Sequence, residues 1–198
     1  KFNLDLHTGR TNAMWAFILG LASLNILCFI YSGFVITFRR TRTKIKNKIK
    51  AKDAEIVLLV GSENGTTLFF ANQIHRQLLN EGKRSYLAEM NHFQSFESAK
   101  EMVIFTSTYG LGDPPSNANQ FETLLQKFPQ QNKIGYSVVG FGSKSYQEFC
   151  AFAVKVNDLL AKQNWAETTT SIFTVNDRSA DEFAAWAHVW SEKTLHPL

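Results

Sequence analysis

The sequence predicts an α/β protein: a doubly wound parallel sheet with helices on both faces, preceded by one transmembrane helix. Three observations predict it. Short apolar runs alternate with helical stripes from residue 54 onward, an uncharged apolar run fills residues 13–38, and a purely basic strip separates the two.

The apolar run, Ala13 to Phe38, reads AMWAFILGLASLNILCFIYSGFVITF. At about 1.5 Å per residue it is long enough to cross a hydrocarbon core of roughly 30 Å. Helices buried inside soluble domains seldom run past about 20 apolar residues. A cleaved signal would have a shorter core of roughly 7–15 residues followed by a small-residue cleavage site. The segment is therefore expected to remain in the mature protein. Residues 39–52, RRTRTKIKNKIKAK, carry Arg39, Arg40, Arg42, Lys44, Lys46, Lys48, Lys50 and Lys52 with no acid among them. The positive-inside rule places this end in the cytoplasm. The expected organisation is an extracytoplasmic end over 1–12, a span over 13–38, a basic linker over 39–53 and an α/β domain over 54–195.

Charge is divided along the same boundary. Of 21 basic residues, eight lie in the strip, and Lys1 and Arg10 precede it, which leaves 11 on residues 53–198. Sixteen of the 17 acids lie there too, Asp5 being the exception, so the domain carries about −5 although the chain carries +4. Such a domain repels nucleic acid phosphates, while the strip suits anionic lipid headgroups. Cys28 falls in the span and Cys150 in the cytoplasmic part, so neither a disulfide nor a CxxC metal site is expected. The chain opens on Lys1 and stops at Leu198 without a tail, as a piece of a longer polypeptide would.

Within the domain, Glu55–Val60 (EIVLLV) is a strand buried on both faces and closed by Gly61. Leu68–Leu79 shows a helical stripe of Leu68, Phe69, Ala71, Ile74, Leu78 and Leu79, ended by Asn80, Glu81 and Gly82. Strands are expected at 85–88, 102–107, 136–141 and 170–175, and helices at 120–128, 146–162 and 180–192. The alternation implies right-handed βαβ crossovers. Ligands of such sheets sit beyond the carboxyl ends of the strands, where strand order reverses.

Three loops lie there. The first, Gly61-Ser62-Glu63-Asn64-Gly65-Thr66-Thr67, offers hydroxyls and the N–H groups of a helix start but no lysine. It can hold a phosphate without a cation, or serve as an ordinary N-capping turn; it is no nucleoside-triphosphate loop, since GxxxxGK[ST] is absent. The second, TSTYGLGDPPSNA, runs from Thr106 past Ser107 and Thr108 and sets Tyr109 beside Gly110, Gly112 and Asp113. The third, GFGSKSYQEF, runs from Gly140 through Gly142 and Ser143 to Tyr146 and Phe149, with Cys150 next. Two tyrosines on neighbouring strand ends can sandwich a flat aromatic ring, each stack adding on the order of 1 kcal/mol beyond area burial.

With these loops in order, residues 54–195 resemble the flavodoxin-like FMN domain of diflavin reductases, the group of sulfite reductase flavoprotein and the NADPH-cytochrome reductases. The family's S-x-T-G-T-x is matched by Ser62, Gly65, Thr66 and Thr67, with Asn64 in place of a threonine. Its T-Y-G-x-G-D is matched by Thr108, Tyr109, Gly110, Gly112 and Asp113, and its G-L-G-[ND]-x-x-Y-x-x-F-[NC] by Gly140, Gly142, Tyr146, Phe149 and Cys150, with Ser143 where Asn or Asp is common. The resemblance implies a five-stranded sheet of order 2-1-3-4-5 and FMN held non-covalently, with Tyr109 on one flavin face and Tyr146 on the other. It also implies an acid, Asp177, near the ring edge, and a Gly110 carbonyl able to accept from the flavin N5–H. Stacked tyrosines and an acidic surround disfavour an anionic reduced flavin and lower the potential of the second electron.

The function so implied is a one-electron FMN relay in a membrane-bound flavin reductase, with no catalytic acid, nucleophile or metal site of its own. NADPH is expected to feed it through an FAD module, in the same longer chain or separate, since no G-x-G-x-x-G occurs. The alternative is a membrane-anchored α/β module that docks a partner without redox work. The segment Asp5-Leu6-His7-Thr8-Gly9-Arg10, leading into the span, resembles the end of PepSY-type bacterial membrane proteins. That resemblance points to the inner membrane of a bacterium and a haem, metal or ferric acceptor, with His7 as the one side chain near the outer interface able to ligate haem iron.

Overall fold

The computed structural model describes residues 7, 8, 12–41, 45 and 47–196. The chain divides into two compact units, residues 1–45 and 46–198. Asp5 and Leu6, and the basic residues 42, 44 and 46, lie outside the described residues.

In the first unit, Asn12 opens the helix α1 (Ala13–Thr41) by accepting the Trp15 N–H at its Oδ1, 2.8 Å away. Its stretch Ala13–Thr37 has a mean hydropathy of 2.1, and no residue of its apolar window is buried. The polar side chains along the stretch turn back onto the helix itself. Ser23 Oγ donates to Leu19 O at 2.9 Å, Asn25 Nδ2 to Leu21 O at 3.3 Å and Thr37 Oγ1 to Gly33 O at 2.8 Å. A helix that satisfies its own polar groups meets the main condition for standing in hydrocarbon.

The second unit is an open parallel sheet. Its elements are β1 (Ile56–Gly61), α2 (Thr66–Asn80), β2 (Ser85–Glu89), β3 (Glu101–Ser107), α3 (Phe121–Lys127), β4 (Ile134–Gly142), α4 (Ala151–Ala161), β5 (Ala166–Thr168), β6 (Phe173–Asn176) and α5 (Ala180–Thr194). The order is β2-β1-β3-β4-β5, with β6 also on β4, and every pairing is parallel. This is the expected 2-1-3-4-5 flavodoxin-like arrangement. All of β1 is buried, as its unbroken apolar run requires of a strand covered on both faces.

The two faces are filled differently. Against α3 and α4 the core holds Val57, Leu59, Met102, Ile104, Val138, Phe121, Phe152 and Val156. Against α2 and α5 it is aromatic: Phe70 stacks on Phe141 at 5.2 Å, Phe183 lies 4.6 Å from Phe70, and Trp186 meets Phe105 edge-on at 5.2 Å. Such ring pairs each contribute about 0.5–1.5 kcal/mol beyond their buried area.

Two expectations differ from the structure. The fifth strand, expected at 170–175, is two segments that follow one another along the same edge of β4. The first segment ends where Thr169 N–H makes the last ladder bond, to Tyr136 O at 2.8 Å, and the Thr169 hydroxyl donates instead to Glu101 Oε2 at 3.0 Å. Gly135 makes room for this pair, since a Cβ there would stand 2.5 Å from both Glu101 Oε1 and Thr169 Oγ1. The helix expected from Tyr146 starts only at Ala151, because Cys150 takes a left-handed φ of 55° that no helix continues through. Tyr146 is thereby left on a loop.

Glu55, immediately before β1, ties the starts of three strands together. Its carboxylate meets Arg84 Nη2 at 3.2 Å and Lys100 Nζ at 2.8 Å, just ahead of β2 and β3. Hydrogen bonds from Arg84 and Lys100 pull its pKa from the ordinary 4.5 down to about 2. The stability this contributes is present above the unfolded value and is lost as pH falls through the folded one. Unfolding midpoints in urea are expected to decline between about pH 4.5 and 2, and Glu55→Gln to flatten that part of the profile. A Cβ at Gly140 would come 2.7 Å from Ala153 Cβ and 3.1 Å from Cys150 Cβ, so α4 packs where only glycine fits. Gly140→Ala is expected to cost about 1–3 kcal/mol, read as a lower urea midpoint at unchanged slope.

Candidate functional site

Parallel register brings the carboxyl ends of four strands level. Gly61 pairs with Thr106, Ser107 with Phe141, and Gly142 with Asn176. The loops that follow meet at one edge and enclose two adjoining clefts of about 390 and 300 Å³, which share Thr108, Tyr109 and Gly142 as a common wall.

The larger cleft begins at the first loop. Ser62 N–H donates to Asn117 Oδ1 at 2.7 Å, and Ser62 Oγ accepts from Gly65 N–H at 3.0 Å, closing a tight turn. Gly65, at φ +77°, is the N-cap of α2, so no side-chain oxygen at the cap competes for the N–H groups of the first turn. Those groups, at the positive end of the helix dipole and beside the hydroxyls of Ser62, Thr66 and Thr67, form an anion-receptive end. Glu63 Oε2 accepts the Ser116 N–H at 2.8 Å and so fastens the first loop to the second.

The second loop folds back on itself. Tyr109 and Asp113 exchange both backbone bonds at 2.9 and 2.8 Å, which is possible because Gly110 and Gly112 take φ of 54° and 104°. Leu111 is pushed out to 91 % exposure at the tip, and Tyr109 stands 56 % exposed beside it. Thr108 Oγ1 accepts the Phe152 N–H at 3.2 Å, locking the loop base to α4.

The third loop leaves β4 at Gly142, where a Cβ would meet Cys150 N, Cys150 Sγ and Phe149 Cδ2, each at 3.2 Å. A turn from Ser143 O to Tyr146 N–H at 3.0 Å presents Tyr146 at 71 % exposure. Neither Tyr109 nor Tyr146 stacks on another ring among the described residues, and both line the smaller cleft. Cys150 lies beneath, its thiol pushed up to about 12 mainly by burial and then by the charge of Glu182.

Most of the residues singled out in the sequence line these clefts: Ser62, Glu63, Asn64, Thr66, Thr67, Ser107 and Asp177 the first, Gly110, Ser143, Tyr146, Phe149 and Cys150 the second, with Thr108, Tyr109 and Gly142 in both. Gly65, Gly112, Asp113 and Gly140 shape the backbone behind the walls. Asp177 adopts φ 51° and donates its N–H to Gly142 O at 2.6 Å. His7 is exposed in the other unit. Sequence reasoning passed over Asn117, Phe141, Glu148 and Arg178. Arg178 was within reach of it, since it follows Asp177 in the loop after the last strand.

The donor set fits FMN: a hydroxyl and N–H end for the phosphate, and two unpartnered tyrosines with small residues between them for a flat ring. Residues 58–190 match the flavodoxin family model. The chain is 32 % identical over 125 residues to an inducible nitric oxide synthase of Carassius auratus, covering 62 % of this chain and 75 % of that one. It is 30 % identical over 112 residues to the sulfite reductase [NADPH] flavoprotein alpha-component of Buchnera aphidicola, covering 53 % of this chain but only 19 % of the relative's length. Flavodoxin 2 of Bacillus cereus superposes with a TM-score of 0.62 at 21 % identity, over 71 % of this chain and 99 % of the flavodoxin, which is a likeness of fold. The chain belongs to the flavodoxin family and carries an FMN-binding domain related to those of the diflavin reductases.

Proposed function

We propose that this chain is the FMN relay of a membrane-bound flavin reductase, taking electrons from NADPH through an FAD module and passing them singly to a haem, metal or ferric acceptor. The observation that carries the reading is the pair of exposed, unpartnered tyrosines at neighbouring strand ends beside an anion-receptive helix start. FMN, when bound, supplies a ring that takes up one or two electrons.

The residues then divide the work. The α2 N–H groups and the hydroxyls of Ser62, Thr66 and Thr67 hold the phosphate, with the Asn64 amide as a further donor. Tyr109 and Tyr146 clamp the ring and keep water from its faces. The Gly110 carbonyl, on a turn with a left-handed φ, would accept a hydrogen bond from the flavin N5–H. Glu148 and Asp177 in the cleft walls disfavour further negative charge on the ring.

The length and exposed apolar surface of Ala13–Thr37 support a span, read as 13–38 between an extracytoplasmic end over 1–12 and a basic linker over 39–53. With the basic strip following it, the FMN domain of 54–195 faces the cytoplasm of a bacterium, beneath its inner membrane. The PepSY-like residues at the amino-terminal end favour an acceptor on the outer side, with His7 as a candidate haem ligand.

The purified full chain in detergent is expected to be yellow and to release FMN on denaturation. Colourless protein that takes up no added FMN would falsify the reading. Tyr109→Ala and Tyr146→Ala are each expected to weaken FMN binding about fivefold to tenfold, measured from the fluorescence of released flavin. A membrane-anchored docking module without redox work would bind its partner as well after both substitutions.

A further inference from the structure

Among the described residues the larger cleft has one cation in its walls, Arg178, and the turn that carries it is held by hydrogen bonds on both flanks. Asp177 N–H donates to Gly142 O at 2.6 Å and Ser179 N–H to Asn176 O at 3.0 Å. Asn176 Oδ1 accepts from Lys144 N–H at 2.9 Å, and Ser179 Oγ caps α5 by accepting the Glu182 N–H at 3.2 Å. Arg178 thus stands on a hydrogen-bonded four-residue turn, with its side chain exposed and without an ion pair among the described residues.

Of the nearby carboxylates, Glu182 and Glu63 are engaged elsewhere, while Asp177 lines the same cleft without pairing with Arg178. Glu182 accepts the Asn176 N–H at 2.6 Å and pairs with Lys144 at 3.6 Å, and Glu63 holds the Ser116 N–H. Among the described residues no carboxylate lies within ion-pair distance of Arg178. Its fork of donors matches phosphate oxygens better than a lysine would, and the loop of Ser62 to Thr67 in the same cleft lacks any cation. The domain's charge of about −5 makes an uncompensated phosphate dianion costly.

We propose that Arg178 supplies the positive charge for the flavin's phosphate from the β6 side of the cleft, and so sets the preference of this chain for FMN over phosphate-free riboflavin. This rests on the FMN reading above. The phosphate would then be held by helix N–H groups and hydroxyls on one side and a guanidinium on the other.

The test is flavin titration of the apo form of the full chain in detergent, with FMN and riboflavin measured side by side by fluorescence quenching. Arg178→Gln is expected to lose about tenfold in FMN affinity with riboflavin affinity unchanged, and to show a shallower loss of FMN affinity with rising salt. Arg178→Glu should lose more, and Arg178→Lys should keep part of the preference. Unchanged FMN affinity in Arg178→Gln, or equal losses for the two flavins, overturns the role of Arg178 and leaves the FMN relay standing. Wild-type apoprotein that takes up neither flavin overturns both.

Discussion

The strands β1 and β3 have water on neither face, so their backbone groups are satisfied only by parallel neighbours in fixed register. That constraint levels the carboxyl ends of β1, β3, β4 and β6 and forces every connection there to be a loop rather than a continuation. The loops are then held to one another by side chains: Asn117 on Ser62, Glu63 on Ser116, Thr108 on Phe152 and Asn176 on Lys144. A cleft made in this way is rigid at its base while its aromatic walls stay open. For electron transfer such a base suits the purpose, because a donor that changes shape little on changing charge has little to reorganise.

Much of this was legible in the sequence, for physical reasons that differ between regions. The runs IVLLV and MVIFT announce buried parallel strands because nothing polar interrupts them, and the glycine-tyrosine loops announce a flat ligand because each lies just beyond such a run. The last strand was harder. Its residues AETTTSIFTVN are rich in hydroxyls, and the break after Thr169 depends on a half-buried Glu101 and on space at Gly135, both distant in sequence. The late start of α4 was hidden as well: Ala151–Ala161 continues the periodicity of Tyr146–Cys150, and only the close approach of Cys150 to Gly140 and Gly142 bends the chain there.

Electrostatics separate the two ends of the domain. At the amino ends of the strands, Glu55 gathers Arg84 and Lys100 into a compact cluster that joins β1 to the starts of β2 and β3. At the carboxyl ends, Asp177 and Arg178 occupy adjacent positions on one turn, so opposite charges line the same cleft within a residue of each other. Asn64 and Ser143, which depart from the family's usual residues, keep hydrogen-bonding capacity at their positions while changing its kind.

The residues that lead into the domain do more than connect. Asn47 Nδ2 donates to Leu87 O at 2.8 Å, and Leu87 N–H donates to Asn47 Oδ1 at 2.9 Å, so one amide side chain mimics a strand at the outer edge of β2. Open sheet edges recruit other edges. By occupying donor and acceptor at the middle of this edge, Asn47 leaves less of β2 open for another strand to pair with.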